Sequence, residues 1–433
     1  MSVPGLPGLG RAVWPILIAA LALKLVFVAS TDYQLRHDAR DYDRHAVSIA
    51  QGEGYPDAKA PGRATAFRPP AYPVLLAGAY ALTGVTDAPD PDRVLVARIL
   101  GAVLTTIALA LLGILAGRLW GRRVGLVAVA LGALYLPLTL VGGSVMSEPL
   151  FVVLVLAALL VALAFRGTPR HRLALAALAG LLTGLTILTR ANAVVLLVPL
   201  LAAFWDGRPW LSRRAIAPPA LLLVTALLVV TPWSIRNAVV FDTFIPVSTQ
   251  LGSALAGTYN DQAREDREDP ASWRAVRNIP QLHVDIRGTP EPRLERELRA
   301  RALRYAADHP GYVGEVAFWN TARMLDLAGL AKARQTTSTI GISGHWAEWA
   351  VPCFWIFAAL ALAGLATGRA RAAPWWIWAV PVLLYLGVVG MVVETPRYRA
   401  GIDPFVIALA AVAVVWGWDR LRPIAHLRRS SAG

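Results

Sequence analysis

The sequence predicts an all-α, polytopic membrane protein of about ten transmembrane helices, and three observations carry that prediction. Hydrophobic residues fill 56% of the 433 positions and charged residues only 16%, an imbalance that a water-surrounded globule of this length could not cover with polar surface. The apolar residues gather in runs near the ~20 residues that cross a hydrocarbon core. The net charge of +14 sits in short arginine clusters between those runs, the arrangement of cytoplasmic loops, so a nucleic-acid partner is not expected.

The first run, residues 12–30, is long for a signal peptide and is followed by charge rather than by a small-residue cleavage site. It reads as an uncleaved span, with cleavage near Ala29 as the alternative. Further spans are expected near 94–117, 123–142, 148–166, 173–189, 191–206, 215–233, 348–367, 374–393 and 401–418, the fifth and sixth of the ten being short. If the N-terminus is cytoplasmic, every short inner loop is basic: Arg118, Arg122 and Arg123; Arg166, Arg170 and Arg172; Arg208, Arg213 and Arg214; Arg369 and Arg371. A multi-pass protein of the cytoplasmic membrane follows.

That orientation divides the chain into a transmembrane core (1–233) with a first outer loop (31–93), a small extracytoplasmic helical segment (234–347), C-terminal transmembrane helices (348–419) and a basic cytoplasmic tail (420–433). In the first outer loop, Ala71 to Gly84 is too short to span and suits a juxtamembrane helix in the interface. Between Glu291 and Pro310, Leu294, Leu298, Ala302 and Tyr305 recur at spacings of three and four, which predicts an amphipathic helix. The single cysteine, Cys353, permits no intramolecular disulfide and no thiol metal site.

In this topology the unusual polar clusters all face outward. They are Asp38 to Asp43, "FRPPAYP" with Arg68, Ser147 and Glu148, Thr189 to Asn192 with Arg190, "PWSIRN" with Arg236 and Asn237, and "ETPRYR" from Glu394 to Arg399. Charged groups are costly in hydrocarbon, so their gathering beside the spans points to a polar cavity at the interface. Carboxylates near arginines suit removal of a proton from a nucleophile while an anion such as a departing phosphate is neutralised. No "GxxxxGK[ST]" and no strand-to-helix "GxGxxG" is present, so an activated substrate rather than ATP would supply the energy.

Plainer readings stand beside these. Asp38, Asp41 and Asp43 fit equally as loop solvation or as caps of a helix beginning near Tyr42. Glu148 before Pro149 fits a helix N-terminus, and Arg190 and Arg236 fit headgroup anchors. Lys24, mid-span, reads as a structural lysine paired within the bundle, while Arg98 is open to either role. His37 and His45 flank the acids without metal-ligand spacing; no cofactor is expected, and a divalent metal is left open.

Seven segments, "DARDYDRHAVSIAQGEGYP" (38–56), "FRPPAYPVLLAGAYALTG" (67–84), "ARILGAVL" (97–104), "SEPLF" (147–151), "LTRANA" (188–193), "PWSIRNAVVFDTFIPVST" (232–249) and "RYRAGIDP" (397–404), together resemble the GT-C membrane glycosyltransferases. The resemblance is to the bacterial branch similar to protein O-mannosyltransferases and aminoarabinose transferases, and covers nearly the whole chain. It implies a sugar transferred with inversion from a polyprenyl-phosphate donor to a glycan, glycolipid or protein acceptor at the extracytoplasmic face of the bilayer. It implies Asp38 as the base, and Arg190, Arg236, Arg397 and Tyr398 as holders of the lipid phosphate or sugar. Arg68 and Asn237 are expected beside them, with Tyr42, Tyr72 and Arg98 in support. The mannosyltransferases proper carry adjacent Asp-Glu after the first span where this chain has Asp38-Ala39, which leaves Asp41, Glu53 and Glu148 as candidates for a second acid. The rival readings are a transporter or flippase of lipid-linked sugars and a glycan ligase using lipid pyrophosphate.

Overall fold

The computed structural model describes residues 8–57, 60–167, 170–207, 209–279, 282, 285, 288–391 and 395–430, without the side chains of residues 60, 61 and 422–430. Arg208 and Glu394 therefore lie outside the described residues. From the N-terminus run α1 (Val13–Ser30), α2 (His37–Ala50), α3 (Ala71–Thr83), α4 (Asp90–Trp120), α5 (Arg122–Leu134), α6 (Leu136–Gly142), α7 (Glu148–Gly167), α8 (Arg172–Thr189), α9 (Leu197–Phe204) and α10 (Arg213–Phe241). Beyond them come α11 (Gln250–Thr258), α12 (Asp261–Glu265), α13 (Glu291–Asp308), α14 (Pro310–Met324), α15 (Leu330–Thr339), α16 (Ala347–Ala366), α17 (Trp375–Val389) and α18 (Asp403–Ser430). A short antiparallel hairpin, β1 (Pro56–Asp57) with β2 (Ala60–Ala64), interrupts this helical order in the first loop.

Among the described residues, seven helices are long and apolar enough to cross a membrane, and α5 with α6 makes an eighth if that bent pair is one span. The expected count of ten is not reached. The stretches 191–206 and 374–393 fold instead as the shorter apolar helices Ala191–Phe204 and Trp375–Val389, and at ~1.5 Å per residue neither covers the ~30 Å of a hydrocarbon core. The break between α5 and α6 is 64°. Tyr135 there adopts an extended backbone, and Pro137 in the first turn of α6 cannot donate back across the break.

The bend lets α6 press against α4: a Cβ added to Gly101 would lie 2.2 Å from the Gly142 carbonyl oxygen. Lys24 donates to Thr139 Oγ1 at 3.0 Å, so it pairs within the bundle as its structural reading expects. The principal core runs through α1, α4, α5, α7, α8 and α18, with Leu109, Leu112, Val129, Leu156, Phe165 and Ile407 buried. A second core joins α11, α13 and α14 around Leu255, Leu298, Ala302, Tyr312 and Val316, which bears out the expected amphipathic helix.

The two ends of the bundle differ chemically. At one end the arginines of the short loops bind carbonyls and two aspartates: Arg122 to Leu9 O (2.9 Å), Arg166 to Ala203 O (2.6 Å), Arg172 to Asp206 (3.2 Å) and Arg123 to Asp419 (3.5 Å). At the other end lie the first loop and the ends of α4, α7, α8 and α10. There α2 begins at His37, more than a turn before the expected start near Tyr42, with His37 at φ 43°. Helix α3 buries Tyr72, Leu76 and Tyr80 yet exposes Val74 and Leu82, as a helix at an interface does.

His45, on α2, stacks on Tyr55 at 4.3 Å, and its buried Nδ1 has no hydrogen-bond partner among the described residues. Burial, against the pull of Asp41, lowers its pKa to about 4. As pH falls through the ordinary histidine range the unfolded chain takes up a proton that the folded chain refuses, so stability drops until the folded pKa is reached. We expect the melting temperature to fall between about pH 6.5 and pH 4, by the equivalent of roughly 3 kcal/mol. His45→Gln should flatten that profile in detergent-solubilised protein; an unchanged slope would contradict the assignment.

Candidate active site

Six charged side chains from five chain segments form a continuous string. Asp38, in the first turn of α2 and 22% exposed, meets Arg68 Nη2 at 2.5 Å with one oxygen and Arg397 Nη2 with the other. Arg68 also grips Asp41 at 2.8 Å. Arg397 reaches Glu148, Nε to Oε1, at 3.7 Å, and Glu148 is paired with Arg190 at 2.7 Å. The order Asp41, Arg68, Asp38, Arg397, Glu148, Arg190 alternates in sign throughout.

Each member is placed by a local device. Arg68 precedes two prolines, and Tyr55 Oη donates to the carbonyls of Arg68 (3.1 Å) and Pro69 (3.4 Å), which fixes that turn in front of α3. Glu148 opens α7 ahead of Pro149, a residue suited to a helix first turn. Arg190 leaves α8 in an extended conformation, φ −149° and ψ 117°. Arg397 sits in the 3-10 turn Pro396–Gly401, anchored two residues on by Arg399, whose Nε meets Asp403 at 2.8 Å and Nη1 meets Asp326 at 3.1 Å.

Neutral groups complete the arrangement. Tyr42 Oη donates to Ser147 Oγ at 3.2 Å, Arg190 Nη1 donates to the same oxygen at 3.4 Å, and Arg397 Nη1 points at Met146 Sδ at 2.9 Å. The guanidiniums of Arg190 and Arg397 lie 5.1 and 5.2 Å from the Tyr398 ring centroid. Burial alone would raise the pKa of Asp38, but Arg68 and then Arg397 outweigh it and hold the carboxyl well below the usual range. Among the described residues, no three His, Cys, Asp or Glu side chains gather as a metal-ligand set.

Of the residues expected at the site, Asp38, Asp41, Arg68, Glu148, Arg190, Arg397, Tyr398 and Tyr42 come together. Tyr72 packs edge-on to Tyr42 at 5.0 Å. Arg236 and Asn237 stand one layer away. Arg236 donates to the carbonyls of Thr65 (2.8 Å) and Tyr55 (3.2 Å), and Asn237 donates to Ile245 O at 3.1 Å. Arg98 binds the carbonyls of Gly143, Val28 and Thr31, so it staples α1 to the end of α6 and does not reach the acids. Glu53 is exposed, while Asp43 pairs with Arg93 at 3.1 Å and accepts from Tyr80 at 2.8 Å. Sequence reasoning missed Met146 and the anchoring role of Arg399; the i, i+4 spacing of Arg399 and Asp403 was the available signal for the latter.

Residues 68–235 match the model of the dolichyl-phosphate-mannose-protein mannosyltransferase family. No curated protein gives a significant sequence match. Among solved structures, the archaeal oligosaccharyltransferase AglB of Archaeoglobus fulgidus, in complex with an inhibitory peptide and a dolichol-phosphate, is similar at a TM-score of 0.55 with 14% identity, over 97% of this chain and 52% of that one. The apo form of an Archaeoglobus fulgidus oligosaccharyltransferase is similar at 0.54 with 13% identity, over 97% of this chain and 52% of that one. ArnT of Cupriavidus metallidurans bound to undecaprenyl phosphate aligns over 93% of this chain and 77% of its own at 15% identity, with a TM-score of 0.46. The chain spans about half the length of the oligosaccharyltransferase it resembles. The chain thus shares the fold of that oligosaccharyltransferase along nearly its whole length, and its residues 68–235 are similar to the mannosyltransferase family.

Proposed function

We propose that the chain transfers a sugar, with inversion, from a polyprenyl-phosphate donor to an acceptor on the extracytoplasmic face of the cytoplasmic membrane. The observation that carries this reading is the alternating string, which sets a partly exposed carboxylate between two guanidiniums. Asp38 takes the acceptor proton, while Arg68, Arg397 and Arg190 receive the charge that develops on the departing phosphate. A carboxylate clamped by two arginines is a weak base. A donor phosphate that competes for Arg68 and Arg397 loosens the clamp and raises that basicity as the donor docks. Glu148 is the second acid, holding Arg190 and Arg397 in register, and Asp41 does the same for Arg68.

Purified protein incubated with radiolabelled polyprenyl-phosphate sugars and cell-envelope glycans, glycolipids or proteins tests the reading, with lipid flux measured in parallel in liposomes. Label appearing on an acceptor supports it; flux without transfer would favour the flippase, and transfer only from lipid pyrophosphate the ligase. Arg236 acts through the carbonyls it holds, so Arg236→Ala is expected to weaken donor binding about tenfold, the equivalent of one lost charge-assisted hydrogen bond. Its turnover at saturating donor should change little. Unaltered donor affinity in equilibrium binding would remove Arg236 from the donor's surroundings.

A further inference from the structure

The end of α14 and the turn into α15 form an apolar stretch within the segment 234–347. From Val316 to Ala331 the only charged residues are Arg323 and Asp326. Both turn inward, Arg323 to Asp269 at 2.9 Å and Asp326 to Arg399 at 3.1 Å. The residues left facing outward include Phe318, Leu327 and Leu330, at 64%, 58% and 42% exposure. Left-handed backbone at Asp326 (φ 55°) and Gly329 (φ 91°) shapes the turn that presents the two leucines. Large apolar side chains gathered along one short stretch mark an interaction surface.

The neighbouring span identifies the partner. Helix α17 has 15 residues and rises only ~22 Å of the ~30 Å of a hydrocarbon core, so it ends below the far edge of the core. The end of α14 lies against its last turns: Thr321 Oγ1 and Tyr385 Oη are 2.6 Å apart, and Met324 packs on Val388. Three consecutive carbonyls where α17 ends are all taken by protein side chains. Asn320 donates to Val389 O (2.8 Å), Tyr259 to Gly390 O (2.8 Å) and Thr258 to Met391 O (3.0 Å). Carbonyls inside hydrocarbon need such donors, because water does not reach them. Beside this contact α17 itself exposes Val382 and Leu386, so the apolar surface of the span continues onto α14. We propose that residues 318–330 are seated in the bilayer leaflet on the side of the candidate active site, with Phe318, Leu327 and Leu330 against lipid acyl chains, completing the span that α17 leaves short. Part of the segment expected outside the bilayer thus lies within it, and its Asp326 ties that lipid contact to Arg399 and the turn carrying Arg397.

The test is spin labelling of the full chain in phosphatidylcholine nanodiscs. In a Cys353→Ser background, nitroxides are placed by Phe318→Cys, Leu327→Cys and Leu330→Cys, with Val382→Cys as the position in lipid and Arg293→Cys, whose side chain is 70% exposed on α13, as the position in water. Collisions with oxygen, which concentrates in the bilayer, are compared with collisions with a water-soluble nickel chelate. The three labels should shift from nickel toward oxygen as the Val382 label does. Labels that follow Arg293 overturn the proposal, and labels shielded from both probes overturn it in favour of a second copy of the chain covering this face. Unsubstituted protein supplies the check that needs no variant: a carbene reagent confined to the bilayer should leave adducts within residues 318–330. Adducts on α17 with none in that stretch would also overturn the assignment.

Discussion

Asp38→Asn is expected to lower sugar transfer by about a thousandfold, the range of a lost general base, with little loss of folded protein. The amide keeps the shape of the carboxyl but cannot take the acceptor proton. The fold should survive because neither arginine is stranded: Arg68 retains Asp41 at 2.8 Å, and Arg397 retains Glu148 at 3.7 Å. Initial rates with a saturating polyprenyl-phosphate sugar, together with the thermal unfolding midpoint, decide the matter. A variant as active as the parent removes Asp38 from the reaction, and an unfolded one assigns it to structure. The pH dependence gives a companion check. A carboxyl whose folded pKa lies below its unfolded value of about 3.9 contributes stability above that pH and loses it only as pH falls further, so Asp38 should not titrate between about pH 5 and 9 in the resting protein.

The largest effect on stability should come from Arg399→Leu, at about 3–5 kcal/mol, the cost of breaking a buried ion pair from one side. Arg399 is 2% exposed, is bonded to Asp403 at 2.8 Å and Asp326 at 3.1 Å, donates to Met324 O, and lies 3.5 Å from the Phe354 ring centroid. Leucine would leave two carboxylates in an apolar setting with no cation. The damage should also reach the site, because the turn that Arg399 anchors carries Arg397. Thermal unfolding in detergent should show the loss, and adding Asp326→Asn and Asp403→Asn should recover part of it by removing the uncompensated charges. If the triple variant is no more stable than the single one, charge burial is not the cause.

Much of this was legible in the sequence because charge is conspicuous in so apolar a chain. Asp38, Arg68, Glu148, Arg190 and Arg397 stand at the ends of hydrophobic runs, and the positions at run ends where charges recur are those the fold brings together. What stayed hidden depended on partners far along the chain. Arg236 and Arg397 look alike in sequence, yet one meets the carbonyls of Tyr55 and Thr65 and the other meets Asp38. Arg98 was open between an acid partner and none, and carbonyls of α1 and of the residue after α6 take it. The break at Tyr135 was legible in Pro137 but was outweighed by the unbroken hydropathy of 123–142. The early start of α2 turns on the left-handed backbone of His37, a conformation that histidine adopts without any compositional mark.

Three anions and three cations make up the string, so its charges balance. In the proposed reaction, Asp38 loses its negative charge to the incoming proton at the moment the carrier's phosphate gains one. The same guanidiniums that had neutralised the aspartate are thereby freed to neutralise the phosphate, and the total stays constant along the reaction. Catalysis then amounts to a change of partners among stationary arginines, with no need to draw counter-ions from the surrounding water.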